Sequence, residues 1–185
     1  GCKYLNRTKV RVTNGWYTIP DPKHIQNIIT CAYGEEKVPT NPVATPGVAR
    51  GVLTEDDERV LDSANAFTYR SAVGSAVFLA GDVEVLSYTT KELAKRLHEP
   101  REIDFQDLKR LARWLVGHED IAVGNFVNEQ TIQLYRSGGV LDLEGWHDSD
   151  WAGSKDDRRS TSGLRSECGG FRLSHYSSTQ PGLPA

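Results

Sequence analysis

The sequence predicts an α+β chain laid out in three successive stretches: a β-hairpin, a helical region and a β-meander. Three observations carry this. β-Branched residues alternate along the first twenty positions and stop at Pro20. Apolar residues then recur every three or four positions as far as Gly117. After Ile121 the pattern returns to short alternating runs divided by turn residues. Strands segregated from helices in this order argue for α+β over a βαβ repeat.

Residues 3–13, with Val10, Val12 and Thr13, read as the first strand. Asn14-Gly15 is the dipeptide of a type I′ turn, whose two central residues both need positive φ. Residues 16–19 form the returning strand. Asp21-Pro22 opens a helix as N-cap and first-turn proline, and His24, Ile25, Ile28 and Ile29 continue it. Residues 36–54 read as a linker, since Pro39, Pro42, Pro46, Gly47 and Gly51 interrupt them. A helix resumes near Asn65. Phe67, Val73, Val77 and Phe78 are assigned to one side, and small Ala72, Gly74, Ser75 and Ala76 permit close packing. Another helix runs over about 90–97 and is closed by Pro100. The clearest places Phe105, Leu108, Leu111, Ala112 and Leu115 together, with Lys109, Arg110 and Arg113 on the other faces. Gly117 suits its C′ position. Strands follow at 123–127, 131–135 and 140–146, then a hairpin of 161–168 and 171–176 around Gly169-Gly170.

Composition removes several classes. No apolar run approaches the ~20 residues that a membrane helix needs, so no membrane partner is expected. The polar start lacks a secretory leader, and an intracellular site, cytoplasm or nucleus, fits. Cys2, Cys31 and Cys168 are odd in number and far apart, which suits neither a disulfide framework nor a metal pair. The 185 residues include no methionine and begin with Gly1, so a piece of a longer protein is expected. The net charge of −3 hides zones: residues 1–50 carry seven basic and three acidic side chains, and residues 51–87 carry two and seven. A basic zone suits a phosphate-facing surface or a merely solvated one.

The most specific stretch runs from His147 through Asp148, Ser149, Asp150, Trp151, Ala152 and Gly153 to Asp156-Asp157-Arg158-Arg159-Ser160-Thr161-Ser162-Gly163. A strand ending in a carboxylate can present a hard oxygen ligand to Mg²⁺. Asp-x-Asp in a loop equally serves turn geometry. This string resembles the opening of the RNase H domain of copia-type LTR-retrotransposon Pol polyproteins. Tyr69-Arg70-Ser71-Ala72-Val73-Gly74-Ser75 with Phe78-Leu79-Ala80 resembles an upstream segment of the same polyproteins. So does Lys109-Arg110-Leu111-Ala112-Arg113-Trp114-Leu115-Val116-Gly117. His175-Tyr176-Ser177-Ser178-Thr179-Gln180 is similar to a later RNase H strand. The matches cover most of the chain in order.

The resemblance implies three regions: 1–20, the end of the reverse-transcriptase palm; 21–122, a thumb-like helical region; and 123–185, an incomplete RNase H-like meander. It implies Asp148 as a catalytic Mg²⁺ ligand in the parent protein. It implies an RNA–DNA hybrid or template–primer duplex as partner, along with the rest of the polyprotein. The polymerase motif Tyr-x-Asp-Asp has no counterpart, since Thr54 precedes Asp56-Asp57 and Ser154 precedes Asp156-Asp157. The isolated chain is therefore expected to be inactive. Lys3, Arg7, Lys9 and Arg11 fall at odd positions, so one regular strand places them on one face toward phosphates. Lys109 and Arg113, four apart, share a helix face. The alternatives are a solvated charge face, an interaction module retained by a host, or a relic without function.

Overall fold

The structure is a computed structural model and describes residues 1–34, 38–48, 54–149 and 159–180. The chain is α+β. It divides into two compact units, one of Pro20–Ile121 and one of Gly1–Ile19 with Ala122–Ala185.

The first of these units is helical: α1 (Pro22–Tyr33), α2 (Ser63–Ala80), α3 (Ser87–Ala94) and α4 (Glu102–Val116). Asp21 caps α1 as expected, its carboxylate accepting Lys23 N–H at 3.1 Å, and Pro22 occupies the first turn. Gly34 ends the helix at φ 58, in the region that favours glycine. Asp62 caps α2 through Asn65 N–H at 2.8 Å. The core combines Ile25, Ile28, Ile29 and Ala32 with Tyr69, Ala72, Val73, Ala76 and Leu79. Leu86, Leu93, Leu108, Leu111, Ala112 and Leu115 complete it. α1 packs against both α2 and α4.

The buried stripe of α2 differs from the sequence expectation. Phe67 is 73% exposed and Val77 53%. Six residues span one and two-thirds turns, so Phe67 and Val73 cannot share a face. Ala66, Tyr69, Ala72, Val73, Ala76 and Leu79 form the inward stripe instead. The helix expected over 90–97 begins earlier, at Ser87, and ends at Ala94. α4 begins at Glu102, a turn before Phe105, because Asp104 Oδ2 accepts Arg101 N–H at 2.8 Å and secures its start. Gly117 is not left-handed, at φ −78. It serves close approach, since a Cβ there would stand 2.6 Å from Pro42 Cβ.

The described part of the expected linker, residues 38–48, lies as a strap on α4. Arg113 donates to Asn41 O and Arg110 to Thr45 Oγ1, each at 3.1 Å. Pro46 is buried. Residues 35–37 and 49–53 lie outside the described residues.

Among its described residues, the other unit holds two sheets and one helix: β1 (Cys2–Tyr4), β2 (Arg7–Val12), β3 (Gly15–Ile19), β4 (Val123–Phe126), α5 (Glu129–Arg136), β5 (Leu143–Ser149), β6 (Thr161–Cys168) and β7 (Phe171–Thr179). One sheet has the order β1-β2-β3-β4 and the other β5-β6-β7, all antiparallel. The expected first strand is broken. Leu5 and Asn6 take φ 48 and 61 and make a two-residue turn between Tyr4 and Arg7. Neither Asn14 nor Gly15 has positive φ. Asn14 instead extends the β3–β4 ladder by one rung, receiving Val127 N–H on its carbonyl at 2.9 Å and donating from Nδ2 to Val127 O at 3.2 Å. Gly15 is required where β3 meets β4, since a Cβ would lie 2.0 Å from Asn125 O.

The segment 131–135, expected as a strand, lies within α5. Asn128 Oδ1 accepts Thr131 N–H at 2.8 Å, and this cap prevails over a weak period-two pattern. The next strand starts at Leu143 rather than at position 140. The Gly169-Gly170 hairpin forms where expected, with φ 57 and 82.

Candidate nucleic-acid interface

Residues directly opposite each other in an antiparallel pair point to the same side of a sheet. Arg7 pairs with Tyr4, Lys9 with Cys2 and Thr18, and Arg11 with Trp16. Arg7, Lys9 and Arg11 therefore share a face with Trp16, Thr18 and Asn125. Lys3 does not. It pairs with Thr8, and the turn at Leu5-Asn6 moves it to the opposite side. Lys9 Nζ lies 5.1 Å from the Trp16 ring centroid, a cation–π distance. Trp16 meets Phe171 edge-on at 4.9 Å. The opposite face carries Lys3 and Thr8 beside the apolar Val10, Tyr17 and Ile19, with Tyr17 edge-on to Phe126 at 5.1 Å.

The two α4 cations chosen from sequence are engaged within the helical unit. Lys109 Nζ lies 5.6 Å from the Tyr33 ring and 5.7 Å from that of Phe105. Arg113 reaches Asn41 O. Glu102, in the first turn of α4, meets Arg59 at 3.2 Å. Such exposed pairs contribute about 0–1 kcal/mol.

Apart from Gly74, the segment 69–75 is structural. Tyr69 Oη donates to Leu93 O at 2.8 Å. Arg70 donates to Leu97 O at 2.7 Å and His98 O at 3.0 Å, closing the turn after α3. Asn27 donates to Ser75 Oγ at 2.9 Å and Ser71 Oγ at 3.3 Å, a polar seam between α1 and α2. Gly74 is the exception, because nothing lies within 4 Å of where its Cβ would be. With Phe67, Arg70 and Val77 it gives α2 an open outward face. Periodicity alone misassigned that face, and a corrected helical wheel would have found it.

Asp148 is exposed near the end of β5. Its sheet row continues through Gly163 to Ser177, neither of which offers a carboxylate. The next row on that face holds Trp146, Arg165 and His175. Trp146, Arg165 and Glu167 line a shallow hollow of about 300 Å³, and Arg165 is ion-paired to Glu167. Among the described residues no group of three His, Cys, Asp or Glu is placed to hold a metal ion. Asp150, Trp151, Asp156, Asp157 and Arg158 lie outside the described residues.

The three cysteines are free. Burial pushes the Cys31 thiol up, partly offset by a hydrogen bond with Ser71. Burial alone would raise Asp21, yet hydrogen bonds and charge from Lys23 hold it below the usual carboxylate range. Asp57 is also lowered, by the backbone N–H and hydroxyl of Thr54 and then by Gln106. A lowered carboxylate contributes stability that is present above its unfolded pKa of about 3.9 and lost as pH falls through the folded value. Melting temperature recorded from pH 6 down to pH 3 is expected to fall below about pH 4, and Asp57→Asn is expected to flatten part of that fall. An unchanged acid profile in the variant would remove Asp57 from the account.

No described helix is long and apolar enough to cross a membrane. No protein-family model matches the chain. No solved structure matches it either. Among known proteins, it is 32% identical over 142 residues to a retrovirus-related Pol polyprotein from transposon RE2 of Arabidopsis thaliana, covering 77% of this chain and 9% of that protein. The corresponding polyprotein from transposon RE1 is 34% identical over 115 residues, covering 62% of this chain and 7% of its own length. An uncharacterized mitochondrial protein of the same plant is 32% identical over 113 residues, or 61% of this chain and 43% of that protein. The chain thus spans less than a tenth of the two polyproteins it matches. It is a homologue of the retrovirus-related Pol polyproteins of copia-type transposons and corresponds to a short stretch of their length.

Proposed function

We propose that the chain is the part of such a polyprotein that grips the template–primer or RNA–DNA hybrid, together with the first strands of an RNase H domain. The observation that carries this reading is the face of the β1–β4 sheet on which Arg7, Lys9 and Arg11 align beside Trp16. Cations spaced two residues apart on a strand stand about 6.6–6.8 Å apart, so the three present a row of positive charge to a phosphate backbone. Such contacts position a duplex without reading its sequence. The open face of α2 supports the same reading. Gly74 lets backbone approach a ligand closely, and the wide, shallow minor groove of an A-form duplex accepts such a helix. Lys3, Lys109 and Arg113 are secondary in this reading, because Lys3 faces away and the other two are engaged internally.

Asp148 is proposed as one Mg²⁺ ligand of the RNase H centre in the longer protein, where Mg²⁺ would activate water for phosphodiester cleavage. Its row offers no second carboxylate, so the chain alone is proposed to bind a hybrid without cleaving it or extending a primer. The test is binding of an RNA–DNA hybrid across a salt series, with Mg²⁺ present. Changing Arg7, Lys9 and Arg11 to Ala is expected to reduce the salt slope by about 2.7, or 0.9 per phosphate lost. An unchanged slope removes the grip. Mg²⁺-dependent cleavage abolished by Asp148→Asn would overturn the inactivity.

A further inference from the structure

Arg110 and Arg113 lie one turn apart on α4 and reach the same stretch of chain, the strap of residues 38–48. Each is held by one neutral acceptor, Thr45 Oγ1 or Asn41 O. Among the described residues neither has an ion pair. The Nε of each guanidinium is buried with no hydrogen-bond partner. A guanidinium carries five donors in a planar fork. These two forks are therefore under-satisfied where they stand. Their preferred ligand is an oxyanion that takes two N–H groups at once, and charge-assisted bonds of that kind are roughly twice as strong as neutral ones.

The strap lies over this pair without strong bonds of its own to it. Its seating depends on shape: Pro42 against Gly117, Gly47 against Thr89, and Pro46 buried. We propose that Arg110 and Arg113 form a phosphate-binding pair that residues 38–48 cover, so that a phosphate and the strap compete for the same guanidinium groups. A phosphate that engages both forks releases Asn41 and Thr45, and by linkage a strap that is already loose raises affinity for the phosphate. The identity of the phosphate as nucleic acid rests on the function proposed above. The competition itself does not.

The test is amide hydrogen exchange over residues 38–48 of the whole chain, with an RNA–DNA hybrid in one arm and tripolyphosphate in another. Either ligand at saturation is expected to speed exchange in the strap several-fold while leaving the interior of α4 unchanged. Arg110→Gln with Arg113→Gln is expected to speed it without ligand and to abolish the ligand response. Tripolyphosphate acting while the hybrid does not bind would keep the anion pair and remove the nucleic-acid reading. Ligand binding that leaves strap exchange unchanged, or no binding of either ligand, overturns the proposal.

Discussion

Tyr69→Ala is expected to lower the stability of the helical unit by about 3–5 kcal/mol, the range for removing a large buried aromatic side chain. Tyr69 is fully buried in α2 among small neighbours. Ala66, Ala72 and Ala76 have no side-chain freedom with which to fill the void, so collapse cannot recover the loss. The hydroxyl adds a second effect. It donates to Leu93 O at 2.8 Å, at the end of α3, and so ties α3 to α2. Tyr69→Phe isolates that bond and is expected to cost about 1 kcal/mol. Urea unfolding followed by circular dichroism reads both. A loss under 1 kcal/mol for the alanine variant would mean that the packing of α2 is other than described.

Asp104→Ala ranks second, at about 2–3 kcal/mol, from a lost N-terminal cap combined with a buried, unsatisfied donor. Asp104 is fully buried, and its Oδ2 accepts Arg101 N–H at 2.8 Å. Its neighbourhood is also where residues 54–61 are fastened to α4. Leu61 N–H reaches Pro100 O at 2.9 Å and Glu102 N–H reaches Arg59 O at 2.9 Å. Losing the cap therefore loosens that junction as well as the first turn of α4. Asp104→Asn retains an acceptor oxygen and is expected to fall between wild type and alanine. The same urea titration separates the three, and an alanine variant equal to wild type would show that the cap is dispensable.

The sequence was most informative where a single physical rule acted without competition. Asp21-Pro22 started α1, and Gly169-Gly170 turned the last hairpin. Both depend on backbone preferences that no distant residue alters. It was least informative where tertiary pairing chose between two local options. Asn14-Gly15 has the chemistry of a type I′ turn, yet Gly15 is held against Asn125 and Asn14 against Val127, partners more than a hundred positions away. The segment 131–135 could alternate as a strand or wind as a helix, and Asn128 decided the matter. The site suffered from the same cause. Odd numbering places four cations on one face only if the strand is unbroken, and the turn at Leu5-Asn6 broke it. Lys109 and Arg113 share a helix face in either reading. That they are turned toward Tyr33, Phe105 and Asn41 depends on chain that spacing cannot locate.

Thr18 in β3 stands directly opposite Val123 in β4. The chain thus leaves the sheet and returns to the neighbouring rung after an excursion of about a hundred residues, and opposed Cα atoms in such a ladder are only about 4.5–5.5 Å apart. Closing so long a loop costs little more than closing one half its length. The four-helix segment is in effect a cassette with adjoining ends. A change in its length leaves the sheet's register untouched, because the rung formed by Thr18 and Val123 fixes only where it starts and ends.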